Sequence, residues 1–438
     1  MEVEIIKDTQ MWFIFFCLLL IILKLYINTD ISLLFTIVLQ TINVISFIND
    51  GTSELEFCLT LLLNFFISDF SESDDDNDGI FGIEGSWVFF FFSFFINEML
   101  DSENLLSLYI CIEASTFCLF LLLVLKYEQI SVEGAIKYLL LTATSSIWLL
   151  FSFILIFNWA ETLDLEEIFL CYSEKNNRIM PISIIVLYIS LITKLGLFPS
   201  YLIAGDASEN LGTDTFIQLN IAYKIAALMI LVSFQENIDS LIVDFFWIII
   251  CVLSVIQGGF ATFLQKNIMR FLAYGSIPQF GLIALTIQGD ELCQRLSILY
   301  LIVYLNALAK FLCLLDSLKI FETFINLMDL NVVNKNTFIK YYMLGLILEL
   351  GGLPPSNLFF IKFYIIGFFL QYFIFQMFIF LVLSILMCFY YLRLIKILFY
   401  EMEDNNYFTT LSKLKINGIF IEQFLENFIV GIIIFVSV

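Results

Sequence analysis

Lys137, Lys194, Lys224, Lys310 and Lys362 lie inside stretches of the chain that are otherwise apolar, and no arginine shares this placement. An ammonium at the centre of a membrane-spanning helix costs about 2.5–3.5 kcal/mol on insertion scales. Groups kept there are expected to pair, to face water or to act. Lysine can release its proton when desolvated, whereas arginine stays charged. The chemistry on offer is therefore the loading and release of protons. Two of these lysines stand beside helix-breaking residues. Lys194 precedes Pro199 in "TKLGLFPSYLIAGDASEN", and Lys362 follows Gly351, Gly352, Pro354 and Pro355 in "ELGGLPPSNLFFIKFY". Proline has no N–H, so the carbonyl of Leu195 should lose its helical partner. Irregular backbone at membrane depth is tolerated only inside protein or against a water-lined cavity. In transporters built from inverted repeats, ion sites sit at interruptions of this kind.

The elements that must position these groups follow from composition. The chain has 438 residues, of which 61% are hydrophobic and 14% charged, with a mean hydropathy of +0.96. A water-soluble protein of this make-up would expose far too much apolar surface, so an all-α, polytopic membrane protein is expected. A spanning helix needs about 20 apolar residues, and candidate spans cover 11–28, 31–49, 53–68, 86–100, 103–126, 131–157, 180–204, 213–234, 240–264, 267–288, 293–316, 338–366, 369–399 and 416–438. Helices 7 and 12 of this series are the broken ones. The stretches 158–179 and 317–337 are polar enough to be connections.

Basic residues orient the map. Lys24, Lys126, Lys266, Arg270, Lys319, Lys335, Lys340, Arg393, Lys396, Lys413 and Lys415 fall after odd-numbered spans, whereas the opposite side holds Lys7, Lys175, Arg178 and Arg295. By the positive-inside tendency, both termini should face away from the matrix or cytoplasm. Richness in Phe (51 residues), Ile, Leu, Tyr and Asn fits an AT-rich coding genome. The opening "MEVEIIKDTQ" is acidic and unlike a cleavable presequence. Together these lead us to expect an organelle-encoded, multi-pass protein of the mitochondrial inner membrane, with its termini in the intermembrane space.

Several classes are excluded or disfavoured. The sequence has no histidine, which removes His-ligated haem or metal and any Ser-His-Asp triad. Its nine cysteines are scattered without a CxxC, so a Cys-ligated centre is not expected. The net charge is −22 and no basic patch suggests nucleic acid. Asp74, Asp76, Asp78 and Gly79 match the start of a calcium loop, but its twelfth position is Gly85 and Glu84 comes one residue early. The run 68–79 is read as a solvated acidic loop. Lys137 lies near the start of its span, where it could snorkel to the interface or pair with Glu133 at i,i+4. Lys310 and Glu349 have no assigned role.

These motifs also resemble a known family. The segment after Ser190 is similar to the KLG-x-x-P-F-H-x-W-x-P-D-x-Y-E signature of the antiporter-like membrane subunits of respiratory complex I, with Lys194, Gly196, Pro199, Asp206 and Glu209 in register. "SLYICIEASTFCLFLL" resembles the family's fifth span, with Glu113 at the key glutamate, and "SVEGAIKYLL" its sixth, at Glu133, Lys137 and Tyr138. Lys224 falls on the eighth-span lysine, "FLAYGSIPQFGLIAL" resembles the tenth span, and "LGGLPPSNLFFIKFYII" the twelfth. The match runs from about residue 86 to 370.

The resemblance implies a proton-translocating subunit with a buried axis of Glu113, Lys194, Lys224 and Lys362, and with Lys137 as a further member. It implies two antiporter-like repeats, 86–234 and 235–400. These follow a segment 1–85 with helices 1–3 and the acidic loop, and precede 401–438 with helix 14. It implies no cofactor in this chain. FMN, iron–sulfur clusters and ubiquinone would belong to partner subunits, and the partners would be other membrane-arm subunits, including neighbouring antiporter-like ones, and membrane lipids. A lysine at 362 and the absence of a long lateral extension narrow the resemblance to the shorter, lysine-bearing members. A stand-alone or Mrp-type cation/proton antiporter subunit is the alternative, as is a structural complex I subunit with a degenerate path. Family histidines are replaced around Ser200–Tyr201 and by Gln279, beside an unusual Pro278. Water or Tyr201 would have to serve in their place.

Overall fold

The structure is a computed structural model that describes residues 81–100, 102–125, 129–174, 179–209, 213–237, 241–289, 291–317, 327, 330, 337–372 and 374–400. The expected spans 11–28, 31–49, 53–68 and 416–438, and the acidic run 68–79, lie outside the described residues. The chain divides into a unit ending at Phe90 and a larger one, Phe91–Val438, which contains all five lysines of the apolar stretches.

The described residues are helical almost throughout. The helices are α1 (Phe81–Leu100), α2 (Leu105–Val124), α3 (Gln129–Ala160), α4 (Leu165–Glu174), α5 (Ile179–Leu195), α6 (Tyr201–Ser208), α7 (Thr213–Ile217), α8 (Tyr223–Asn237), α9 (Leu241–Leu264), α10 (Ile268–Ile287), α11 (Glu291–Ser317), α12 (Thr337–Gly351), α13 (Asn357–Tyr372) and α14 (Ile374–Tyr400). A π-helical turn, Gln218–Ala222, joins α7 to α8. Among the described residues, seven helical segments are long and apolar enough to cross a membrane, and Trp87–Leu100, Pro181–Leu195 and Asn357–Leu370 are shorter apolar helices.

The expected connection 158–179 contains α4, a short helix held at its start by the backbone. Leu105 N–H donates to Leu163 O at 3.0 Å and Leu165 N–H to Glu103 O at 2.9 Å, forming an isolated antiparallel bridge. The boundary expected between residues 366 and 369 falls later, because α13 runs on to Tyr372.

Burial divides the helices into inner and outer. Every residue of α10 but Arg270 is buried, and it packs against α6, α9, α11 and α14. By contrast, α3 exposes Ile147, Trp148, Phe151, Ile154 and Phe157, and α14 exposes Phe375, Phe378 and Phe389. Continuous apolar surface of this extent is costly in water and matches a lipid-facing wall.

Both breaks have one design. At the first, Gly196 takes φ +71°, its N–H donates to Thr193 O at 3.2 Å, and Leu197 N–H donates to Ile192 O at 3.1 Å. At the second, Gly352 takes φ +63°, its N–H donates to Glu349 O at 3.0 Å, and Leu353 N–H donates to Leu348 O at 3.0 Å. This pair of bonds around a left-handed glycine is the Schellman closure of a helix C-terminus. Both segments read Gly-Leu-x-Pro-Ser, Gly196–Ser200 and Gly352–Ser356, with cis bonds at Phe198–Pro199 and Pro354–Pro355. The first break was expected to be the work of Pro199. Instead Gly196 ends the helix, and the proline follows in a turn closed by Ser200 N–H to Leu197 O at 2.9 Å.

Candidate functional site

The end of α5 carries Lys194 one residue before its last helical position and two before the closing glycine. A cation there meets the negative end of the helix dipole and its unpaired carbonyls. Lys194 Nζ also donates to Glu113 Oε1 of α2 at 2.5 Å. The lysine side chain is fully buried, whereas Glu113 keeps 31% of its surface. The pair is thus sealed on the amine side and open on the carboxylate side.

Lys224 follows the π-helical turn. Its Nζ donates to Ser276 Oγ of α10 at 3.0 Å and stands 5.0 Å from the centre of the Phe280 ring. Among the described residues no carboxylate pairs with it. Lys362 lies in α13, whose first turn is capped by Ser356 Oγ accepting from Phe359 N–H at 3.3 Å. Its Nζ reaches back over the break to donate to Gly351 O at 3.3 Å, and it stands 5.7 Å from the Tyr300 ring centre. A Cβ on Gly352 would come within 2.7 Å of that amine, so the glycine is needed for the close approach as well as for its backbone angle.

Gln279 joins the second break to its surroundings. It is fully buried, donates through Nε2 to Leu350 O at 2.9 Å, and accepts from the Tyr300 hydroxyl through Oε1. Tyr391 of α14 is bonded to the same side chain. The amide therefore satisfies a carbonyl at the end of α12 that the break has left open. Lys310, also buried, acts electrostatically on Glu349 in the same last turn, and Asn357 hydrogen-bonds that carboxylate.

Lys137 belongs to a different set. It pairs with Glu133 at 3.0 Å and with Asp206 at 3.1 Å, and about half of its side chain is exposed (48%). Arg270 of α10 binds Asp206 at 3.4 Å and also Glu209, while Asn267 donates to Glu209 Oε1 at 3.0 Å. This half-exposed network links α3, α6 and the start of α10. The structure thus brings Glu113 together with Lys194, sets Lys224 against Ser276 of α10, and sets Lys362 at the break that Gln279 of α10 secures. It does not place Lys137 among the buried lysines. Tyr201, expected as a histidine substitute, opens α6 half-buried and acts electrostatically on Tyr274. Ser276, Tyr300, Tyr391 and the bridging role of Gln279 carry no sequence signal, since their partners lie far along the chain. Among the described residues, no group of three or more His, Cys, Asp or Glu could hold a metal ion.

Half-helices broken beside buried lysines, inside a bundle with an apolar wall, define a class of polytopic membrane protein built around intramembrane charge. The chain belongs to the NADH:quinone oxidoreductase/Mrp antiporter transmembrane family, whose characteristic region matches residues 102–388. It is 28% identical over 340 residues to NADH-quinone oxidoreductase subunit N of Hydrogenovibrio crunogenus, covering 75% of this chain and 69% of the relative. It is 29% identical over 320 residues to subunit N of Pelagibacter ubique, covering 71% and 68%. The fold is similar to that of a chain of respiratory complex I from Thermus thermophilus solved with bound aureothin (TM-score 0.68, 21% identity, 81% and 78% covered). It is also similar to that of a chain of the membrane-bound sulfane sulfur reductase, an archaeal respiratory membrane complex (TM-score 0.79, 16% identity, 92% and 89% covered).

Proposed function

We propose that this chain is a proton-translocating membrane subunit of respiratory complex I, of the kind called subunit N in its bacterial relatives and subunit 2 in mitochondria. The observation that carries the reading is the Glu113–Lys194 pair, placed at the end of a broken helix and desolvated on the lysine side. Such a pair is a proton switch. While closed, the carboxylate holds the proton on Lys194. When it opens, the ammonium loses its counter-charge in a poorly screening interior and gives the proton up. Lys224 and Lys362, each without a carboxylate partner among the described residues, are then the relay and the far terminus. Glu113, Lys194, Lys224 and Lys362 are the translocating groups, and Lys137 acts from the half-exposed network at one end. The regions 86–234 and 235–400 are the two repeats, each containing one Gly-Leu-x-Pro-Ser break.

On this reading the chain holds no redox centre. FMN, iron–sulfur clusters and ubiquinone belong to partner subunits, and electron transfer there drives the pair open. The lysine at 362 supports the subunit 2 assignment. The AT-biased composition supports the mitochondrial inner membrane, with both termini in the intermembrane space. The test is Lys224→Ala in the assembled complex, reconstituted in liposomes with a pH-sensitive dye. Fewer protons pumped per NADH oxidised, with assembly intact, is the expected result. Unchanged pumping would leave a structural subunit, and purification without a flavin and iron–sulfur complex would leave an antiporter.

A further inference from the structure

Four basic residues gather where α9, α12 and α14 reach one membrane surface. Gly259 of α9 lies against Leu386 of α14, and Phe263 against Arg393, so these two helices run parallel and end together. Arg393 donates to Phe263 O in the last turn of α9 and stands 5.3 Å from the centre of that residue's ring. Lys266 follows in the connection to α10. Lys396 comes one turn after Arg393, and Phe399 one turn later again. Lys340, near the start of α12, stands 4.1 Å from the centre of the Phe399 ring. Aromatic faces thus hold Arg393 and Lys340, and Lys396 is exposed between them.

Among the described residues, none of the four forms an ion pair. The acids at the neighbouring start of α10 are already taken, because Lys137 and Arg270 engage Glu133, Asp206 and Glu209. The four cations therefore repel one another with no counter-charge among the described residues. Toward the membrane centre, Phe260 of α9 and Phe389 of α14 are exposed within about a turn of the Phe263–Arg393 contact, with Phe263, Leu264 and Leu392 exposed beside them. Such a face belongs against hydrocarbon. An occupant of the whole patch must be anionic at the surface and apolar below it. A guanidinium carries five N–H donors in a fork that matches phosphate oxygens, so its bond to Phe263 leaves donors for an anion. Basic pockets between spanning helices bind anionic headgroups.

We propose that Lys266, Lys340, Arg393 and Lys396 form a site for the phosphodiester headgroup of an anionic phospholipid, whose acyl chains lie along the exposed faces of α9 and α14. The headgroup ties the end of α14 to α9 and α12. This helix carries Tyr390, which donates to Gly275 O of α10 at 3.5 Å, and Tyr391, which lies against Gly351 at the second break. The lipid therefore sets how firmly α14 is held over that break.

The experiment places the assembled complex in phosphatidylcholine vesicles that contain phosphatidylglycerol with a photoactivatable group in its acyl chain, and maps the labelled peptides after irradiation. Labelling around Phe260, Phe263 and Phe389 is expected, displaced by unlabelled phosphatidylglycerol and untouched by added phosphatidylcholine or inorganic phosphate. One basic residue at an anionic headgroup is worth about fivefold in affinity, so Lys340→Gln/Lys396→Gln should raise the phosphatidylglycerol fraction that half-saturates labelling about 25-fold. Neither lysine bonds to the backbone among the described residues, so this variant remains informative even if Arg393→Gln fails to assemble. Equal labelling by a photoactivatable phosphatidylcholine, or half-saturation unchanged in the lysine variant, overturns the site and leaves bulk lipid against an apolar wall. Displacement by inorganic phosphate alone leaves an ion site and overturns the lipid. Labelling that appears only once the complex is dispersed assigns the face to a neighbouring subunit and overturns it too. The labelling needs no turnover, so its outcome is independent of the proton route proposed above.

Discussion

The two helix breaks share a backbone and differ in what surrounds their lysines. Each ends a half-helix with a left-handed glycine and a Schellman closure, and continues through Leu-x-Pro-Ser. At the first, Lys194 comes from the helix that ends and is neutralised by a carboxylate on another helix. At the second, Lys362 comes from the helix that begins. It reaches back to the same kind of helix end, and a carbonyl and an aromatic face receive it. Both amines sit at the negative pole of a half-helix. A break therefore supplies a cation site whichever side the cation comes from, and the neighbours decide whether the amine meets a carboxylate, as proposed for a switch, or, among the described residues, a carbonyl and an aromatic face, as proposed for a terminus.

The comparison predicts unequal responses. Removing one partner of a buried pair leaves an uncompensated charge and costs about 3–5 kcal/mol. Glu113→Ala should approach the lower end because the carboxylate is partly open, and it should lower the melting temperature of the purified complex. Lys362→Met leaves no carboxylate stranded among the described residues, so its effect on melting should be far smaller, although pumping should fall. Equal melting temperatures for the two variants would break the distinction between switch and terminus.

Next in size are the glycines. An L-residue in the left-handed region costs about 1–2 kcal/mol, so Gly196→Ala and Gly352→Ala should both destabilise. The new methyl at 196 would meet Ala204 Cβ at 3.4 Å, whereas that at 352 would meet Lys362 Nζ at 2.7 Å and Leu358 Cδ2 at 2.8 Å. Gly352→Ala should therefore be the worse of the two and should also reduce pumping. The melting temperature and pumping ratio of each variant check this.

Gln279→Leu strips the Leu350 carbonyl and the Tyr300 hydroxyl of a partner, a loss of about 1–3 kcal/mol. It should act on the second break while leaving the Glu113–Lys194 pair intact. Infrared difference spectra of the carboxylate region should therefore keep the Glu113 signal. The smallest effect is expected for Lys137→Met. Its ion pairs are half-exposed, and Arg270 still holds Asp206. Melting should barely move.

Much of the fold and the site is legible in the sequence, for identifiable reasons. Buried lysines stand out because charge in oil is expensive, and Lys194 and Lys362 stand beside visible breakers. Glu113 becomes visible only through the family motif, since nothing local distinguishes it from a packing carboxylate. The repeated Gly-Leu-x-Pro-Ser is present in the sequence, and the glycines of the second break are read there, but at the first break proline is the stronger breaker on propensity alone and masks Gly196, which closes the helix. The bridge from Gln279 to Leu350 joins residues 71 positions apart, and no local pattern encodes it. The helix α4 leaves little trace because it is short and lies in a polar connection, where its docking depends on a bridge to residues before α2.

The enclosure of α10 has a consequence for how the subunit is controlled. Beyond Arg270 it has no outward face, so within this chain it cannot be addressed directly by lipid or by a neighbouring subunit. Yet it holds Ser276 against one amine and Gln279 against the frame of another. Any message from the neighbouring membrane subunits must arrive as a shift of the helices wrapped around it, and a stiffening substitution on that wrapping would silence the core without altering a single polar group inside.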